Sequence, residues 1–187
     1  VQVLANAGVS VDTLDQLRPS RGVDVDVADH PAFLARTGYT GEDGFELYVA
    51  NDAATPLWWA LAEAGKSVEM APAGLACRDT LRLEAGMPLY GQELSRERTP
   101  IEAGLERVVD LDTDFVGRDA LQAITDQGVD VRLVGLVGEG RRAPRTGYAV
   151  QTPSGETVGE VTSGALSPTL GVPIAMAYVS AAWSEPD

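Results

Sequence analysis

The sequence predicts an α+β chain: an antiparallel sheet carrying helices, followed by a small all-β barrel. Three observations predict it. The run Val23-Asp24-Val25-Asp26-Val27 alternates strictly between apolar and acidic residues, the pattern of a half-buried strand. Two longer segments, Ala53 to Ala64 and Pro72 to about Glu84, read as helices closed by glycine. From residue 130 the pattern changes to short strands at Val131–Val137, Tyr148–Gln151, Thr157–Thr162 and Ile174–Val179. Turn clusters such as Thr152-Pro153-Ser154-Gly155 separate them, and strands at that spacing argue for a barrel. A boundary near residue 130 divides a first domain, residues 1–129, from a second, residues 130–187.

In chain order, Val1 to Ala7 reads as a helix stopped by Gly8. A short helix follows around Thr13 to Leu17. The strand Val23–Val27 pairs with Phe33–Arg36 around Asp29-His30-Pro31, its aspartates facing solvent. A calcium loop there would need other ligand spacing and a glutamate. The third strand is Phe45-Glu46-Leu47-Tyr48-Val49, rich in aromatic and β-branched residues. Its period of two puts Phe45, Leu47 and Val49 on one face and Glu46 and Tyr48 on the other. Asn51 or Asp52 caps the next helix, in which Leu57, Trp58 and Leu61 form the buried stripe with Trp59 at its edge. Pro72 opens the second long helix, with Leu75, Ala76, Thr80 and Leu83 as its apolar face. Arg78 and Arg82, four apart, lie on one side of it. Two guanidiniums on one face can grip a carboxylate or pair with Asp79, Glu84 or a neighbouring element. Beyond a charged loop at Arg96–Thr99, Ile101–Leu105 forms a turn and Val108–Leu111 a strand. Gly117 opens a last helix that ends near Gly128.

The chain is organised around Arg36-Thr37-Gly38-Tyr39-Thr40-Gly41-Glu42-Asp43-Gly44, with a glycine at every third position and Glu46 just beyond it. Glycine tolerates positive φ and lets the backbone approach a ligand. A glutamate mounted on a strand directly after such a loop is well placed to hold one. The same pattern also describes a plain hairpin with a polar turn. It is no phosphate loop, lacking Gly-Lys-Ser/Thr, and no dinucleotide fingerprint, which opens a helix. Glu42 and Asp43, adjacent acids in a glycine turn, read as structural rather than as a general base.

Composition narrows the function. The chain has 187 residues, 44% hydrophobic, and a net charge of −14 from 28 acidic and 14 basic residues. Such a surface argues against nucleic acid, which rewards basic patches. Lys66 is the one lysine; the other basic residues are arginines. This imbalance suggests a salt-adapted cytoplasmic protein, since the Debye length at 1 M salt is only about 3 Å. No apolar run approaches a membrane span and no signal-peptide pattern is present. The single cysteine, Cys77, excludes an internal disulfide and reads as a buried structural residue. One histidine, His30, and one cysteine make no zinc set, so no metal is expected.

Three blocks together carry a family resemblance. Gly38-Tyr39-Thr40-Gly41-Glu42-Asp43-Gly44-Phe45-Glu46 is similar to the signature of the glycine cleavage system T-protein, a tetrahydrofolate-dependent aminomethyltransferase. The stretch from Ala73 through Cys77-Arg78-Asp79 and Leu81-Arg82-Leu83-Glu84 to Tyr90-Gly91 is the second block. Thr162 to Leu170 followed by Ile174 to Val179 is the third, in the family's order.

The resemblance implies a folate-binding domain with a ferredoxin-like part, followed by the C-terminal barrel. It also implies a chain about twice this length, of which this is the C-terminal half. It implies transfer of a methylene group from an aminomethyl-dihydrolipoyl arm to tetrahydrofolate with release of ammonia, the arm being carried by the lipoylated H-protein. By the same resemblance Glu46 holds the pterin edge, Arg78 belongs to the helix of the folate site, and Tyr39 lies near the pocket. Arg82 is carried over less directly. A carboxylate suits the pterin edge because it accepts an N–H and an amino group side by side. The family's catalytic aspartate falls upstream of Val1, so no catalytic residue is assigned. A C-terminal arginine that touches ligand in some members has Glu185 at the nearest position, a departure from the pattern. Folate-using demethylases, the folate domains of dimethylglycine or sarcosine oxidising enzymes, and a non-catalytic folate-binding module share this logic and stay open.

Overall fold

The computed structural model describes residues 1–185. The chain is α+β with antiparallel sheets and forms two compact units, Val1–Arg78 and a second from Asp79 onward.

The first unit begins with two short helices, α1 (Gln2–Asn6) and α2 (Val11–Gln16), the first ended by Gly8 at φ +92°. A three-stranded antiparallel sheet follows in the order β1 (Gly22–Val27), β2 (His30–Ala35), β3 (Glu46–Val49). Helix α3 (Asn51–Ala64) succeeds it. The alternation works as the sequence requires. Val23, Val25, Val27, Ala32, Leu34, Leu47 and Val49 turn inward against Leu4, Leu14, Leu17 and Leu57. Asp24, Asp26, Phe33, Tyr48 and Glu46 turn outward and are exposed. Burying a leucine as completely as Leu34 contributes about 1.5–3 kcal/mol.

Several expectations are corrected in this unit. The hairpin turns at Ala28-Asp29, with φ of +49° and +64°, and His30 and Pro31 already belong to β2. Positive φ at both central residues is the type I′ requirement usually met by Asn-Gly, so this turn carries no familiar signature. Helix α3 starts at Asn51 with Ala50 as its cap residue and no side-chain cap bond. Trp58 and Trp59 are 53% and 66% exposed, not core. The stripe is set by Leu57 and Leu61, four apart, and Trp58 lies one residue round the helix from it. Trp58 instead walls an apolar groove of about 400 Å³ with Phe45, Leu61 and Met70. Gly65 closes α3 at a helical φ of −85°, and its role is room: a Cβ there would meet Met70 Cβ at 2.6 Å. Residues 71–74 are irregular, and α4 spans Leu75–Glu84, three residues later than its proline suggested.

The unit boundary falls inside α4, after Arg78. Within this helix only Arg82 and Leu83 are buried. Leu75 is 83% exposed and Cys77 is exposed, contrary to the apolar face and the buried thiol expected of them. The segment expected as a strand at Val108–Leu111 opens instead in a 3-10 turn, Glu106–Val108. Helix α5 (Arg118–Gln127) lies where its glycines predict.

A four-stranded antiparallel sheet completes the second unit in the order β4-β7-β6-β5, with β4 Val131–Val137, β5 Ala149–Gln151, β6 Thr157–Leu166 and β7 Pro173–Ser180. Strand β7 is central and buried on both faces, which explains its unbroken apolar run. A bulge in β6 lets Val161 pair with Ala177 but Ser163 with Met176. One extra residue turns Ser163 to the opposite face from Val161.

Candidate functional site

The glycine loop is closed from both ends. At its start, Arg36 continues the hairpin through backbone bonds with Arg21 and Ser20, each at 2.9 Å. Its guanidinium forks onto Asp43 with Nε–Oδ1 and Nη2–Oδ2 both at 2.8 Å, while Nη1 donates to the Leu17 carbonyl at 2.9 Å. It also lies 5.6 Å over the Phe45 ring. Arginine alone among side chains can clasp a carboxylate with two parallel bonds and still reach a carbonyl. The hydrogen bonds from Arg36 hold the Asp43 carboxyl below its usual range, and the Arg36 charge adds to them against some desolvation. Asp43 is thus the clasp of the loop, as its place in a glycine turn suggests. Of the three loop glycines only Gly41 needs its freedom, at φ +79°.

The loop's end is tied next to that clasp. Glu46 is the first residue of β3, paired across the ladder with Ala35. The Thr37 hydroxyl donates to Glu46 Oε2. Glu46 is exposed at the rim of the open sheet face, on the same side as Phe33 and Tyr48, whose rings stand 6.2 Å apart and tilted by 58°. Within the loop, Tyr39 is half-buried and its ring lies under the Arg78 guanidinium at 4.5 Å. A cation over a ring at this distance is a genuine attraction, about 0.5–1 kcal/mol at an exposed site. The first unit therefore offers an exposed carboxylate at the start of a strand and, in the loop before it, a tyrosine ring stacked with the Arg78 guanidinium of α4.

Arg82 has a different position. It is 1% exposed and its donors are spent on protein: Asp79 at 2.8 Å, Glu93 at 3.0 Å, Ser163 at 2.7 Å and the Met87 carbonyl at 3.2 Å. Of the two roles open to it, pairing is the one it has. Glu93 is fully buried; its Oε2 accepts from Arg82 and from the Leu89 N–H at 2.8 Å, and Tyr178 donates to its backbone carbonyl at 2.9 Å. Sequence reasoning passed over Glu93, since a lone glutamate after Gly91-Gln92 has no spacing signal. At the end of α4, Glu84 accepts from the Ser167 hydroxyl and from Thr169 N and Oγ1. The Ser167 bond, then those from Thr169, lower its pKa. The second and third sequence blocks meet in these contacts. Among the described residues no cluster of three or more metal-binding side chains occurs, and no helix is long and apolar enough to cross a membrane.

Comparison with known proteins gives a consistent answer. The family model of the GCVT N-terminal domain matches residues 2–113, and that of the glycine cleavage T-protein C-terminal barrel domain matches residues 132–187. An aminomethyltransferase of Streptomyces avermitilis is 58% identical over 178 residues, covering 92% of this chain and 48% of the relative. A probable aminomethyltransferase of Haloarcula marismortui is 47% identical over 186 residues, covering 98% of this chain and 48% of the relative. The crystal structure of glycine cleavage system aminomethyltransferase T from Bartonella henselae superposes with a TM-score of 0.85 at 35% identity, covering 97% of this chain and 49% of that one. The chain spans about half the length of the curated relatives it matches. With one family model matching more than half of its residues and a second matching most of the remainder, the chain belongs to the glycine cleavage T-protein family.

Proposed function

We propose that this chain is the folate-holding part of an aminomethyltransferase of the glycine cleavage system. The observation that carries the reading is the exposed Glu46 carboxylate at the start of β3, in the same unit as the Tyr39–Arg78 stack. In this reading Glu46 accepts the paired donors of the pterin edge, Tyr39 walls the pocket and Arg78 offers its charge to the ligand's carboxylate end. Tetrahydrofolate is the acceptor, no metal takes part, and the lipoylated H-protein presents the aminomethyl group. The carbon–nitrogen and sulfur–carbon bonds of that group break and the methylene carbon becomes bonded to two folate nitrogens, whose two protons leave with the ammonia and the dihydrolipoyl thiol. No residue of this chain is assigned the catalytic role in this reading. A division near residue 130 completes this reading, supported by the interval between the two matched family models, 113 to 132. A cytoplasmic, salt-adapted setting is supported by the net charge of −14 and by the resemblance to a Haloarcula relative.

The test is ammonia release by the full-length protein from an aminomethyl-loaded H-protein. The reading predicts release that depends on tetrahydrofolate. Tetrahydrofolate-dependent loss of a methyl group from a methyl donor, with methyl-tetrahydrofolate as product and no ammonia, would favour the demethylase branch, and folate binding without turnover of either donor the non-catalytic module.

A further inference from the structure

We infer that Thr37 is the positioning residue of the Glu46 carboxylate, and that the Arg36–Asp43 clasp keeps Thr37 in place. The inference rests on the folate reading above and deepens it. Glu46 is exposed, and an exposed glutamate has three rotatable bonds to order before it can meet a two-point ligand. The Thr37 hydroxyl donates to Oε2 and so restrains that oxygen, narrowing the orientations open to the carboxylate. An ionised carboxylate has about four acceptor sites, so one bond from threonine leaves acceptor capacity on both oxygens for two parallel donors. Thr37 lies two residues past the end of β2. Its neighbour Arg36 is fixed by the Asp43 fork, by Leu17 and by backbone bonds on both sides. The strand β3 fixes the other end of the bond. Two rigid anchors therefore meet at one hydroxyl, which is what pre-organisation of a binding carboxylate demands.

The experiment is a reduced-folate titration of the full-length protein in molar KCl, with Thr37→Val, Thr37→Ser, Glu46→Gln and the double variant Thr37→Val/Glu46→Gln. Thr37→Val keeps the shape and removes the donor; the expected loss of affinity is roughly three- to tenfold. Thr37→Ser keeps the hydroxyl and restores most of it. In the Glu46→Gln background the valine substitution adds little, because threonine acts through the carboxylate. A merely structural threonine would cost the same in both backgrounds, and that result overturns the inference. So does wild-type affinity in Thr37→Val while Glu46→Gln binds weakly, which leaves the folate reading standing. No effect of Glu46→Gln, or no wild-type binding, overturns both.

Discussion

Replacing Arg82 by methionine tests the interior of the second unit. The guanidinium is 1% exposed and its partner Glu93 is 0% exposed. With Arg82 gone, the Glu93 carboxylate keeps the hydrogen bond from the Leu89 backbone N–H at 2.8 Å, and Ser163 and the Met87 carbonyl each lose a donor. Among the described residues, Glu93 Oε1 already has no hydrogen-bond partner. A buried carboxylate stripped of its cation costs about 3–5 kcal/mol. At about 2–4 °C per kcal/mol for a chain of this size, the melting temperature falls by roughly 6–20 °C. Urea unfolding followed by circular dichroism reads the loss directly. The double variant Arg82→Met/Glu93→Leu removes both charges and fills the space with apolar atoms, so it recovers most of the stability. A single variant that loses less than about 1 kcal/mol, or a double variant no better than the single, would refute the reasoning.

Other consequences follow from particular contacts. Asp43 has its pKa lowered by Arg36, so its contribution is full above the ordinary value of 3.8 and fades as pH falls through the lowered one. Asp43→Asn therefore melts below wild type at neutral pH, and thermal scans toward acid show the gap closing; a gap independent of pH contradicts this. A Cβ on Gly159 would stand 2.2 Å from the Tyr178 carbonyl oxygen and 2.8 Å from Val179 Cα, so Gly159→Ala destabilises by about 1–3 kcal/mol. Gly74→Ala meets nothing within 4 Å, and equal urea midpoints for the two variants would count against the packing argument. The net charge of −14 predicts a melting temperature that rises from low salt to molar KCl, and a flat curve contradicts salt adaptation.

The sequence made the strands legible and the helix faces less so. The alternation of Val23–Val27 and the apolar run of Ile174–Val179 are direct imprints of one buried face and of two. Strand β4 could be bounded to the residue because Asp130 and Gly138 flank a segment in which Val131, Leu133, Val134, Leu136 and Val137 are apolar. The type I′ turn at Ala28-Asp29 was hidden because left-handed backbone is usually announced by glycine or asparagine. Exposed tryptophans and an exposed Leu75 were misread because burial depends on what covers a face, which local pattern does not encode. The motif singled out Tyr39 and Glu46; the clasp of Arg36 on Asp43 and the bond from Thr37 were not legible, since both depend on side-chain geometry rather than spacing. Glu93 was invisible for the same reason: its importance comes from Arg82, eleven residues away.

The most direct test of the folate reading is the affinity of the full-length protein for a reduced folate, measured by calorimetry in molar KCl for wild type and Glu46→Gln. Losing a charge-assisted hydrogen bond is worth roughly 1.5–3 kcal/mol, so the account predicts a loss of about tenfold or more. Equal affinities would mean that Glu46 does not hold the pterin edge and would contradict the account at its centre.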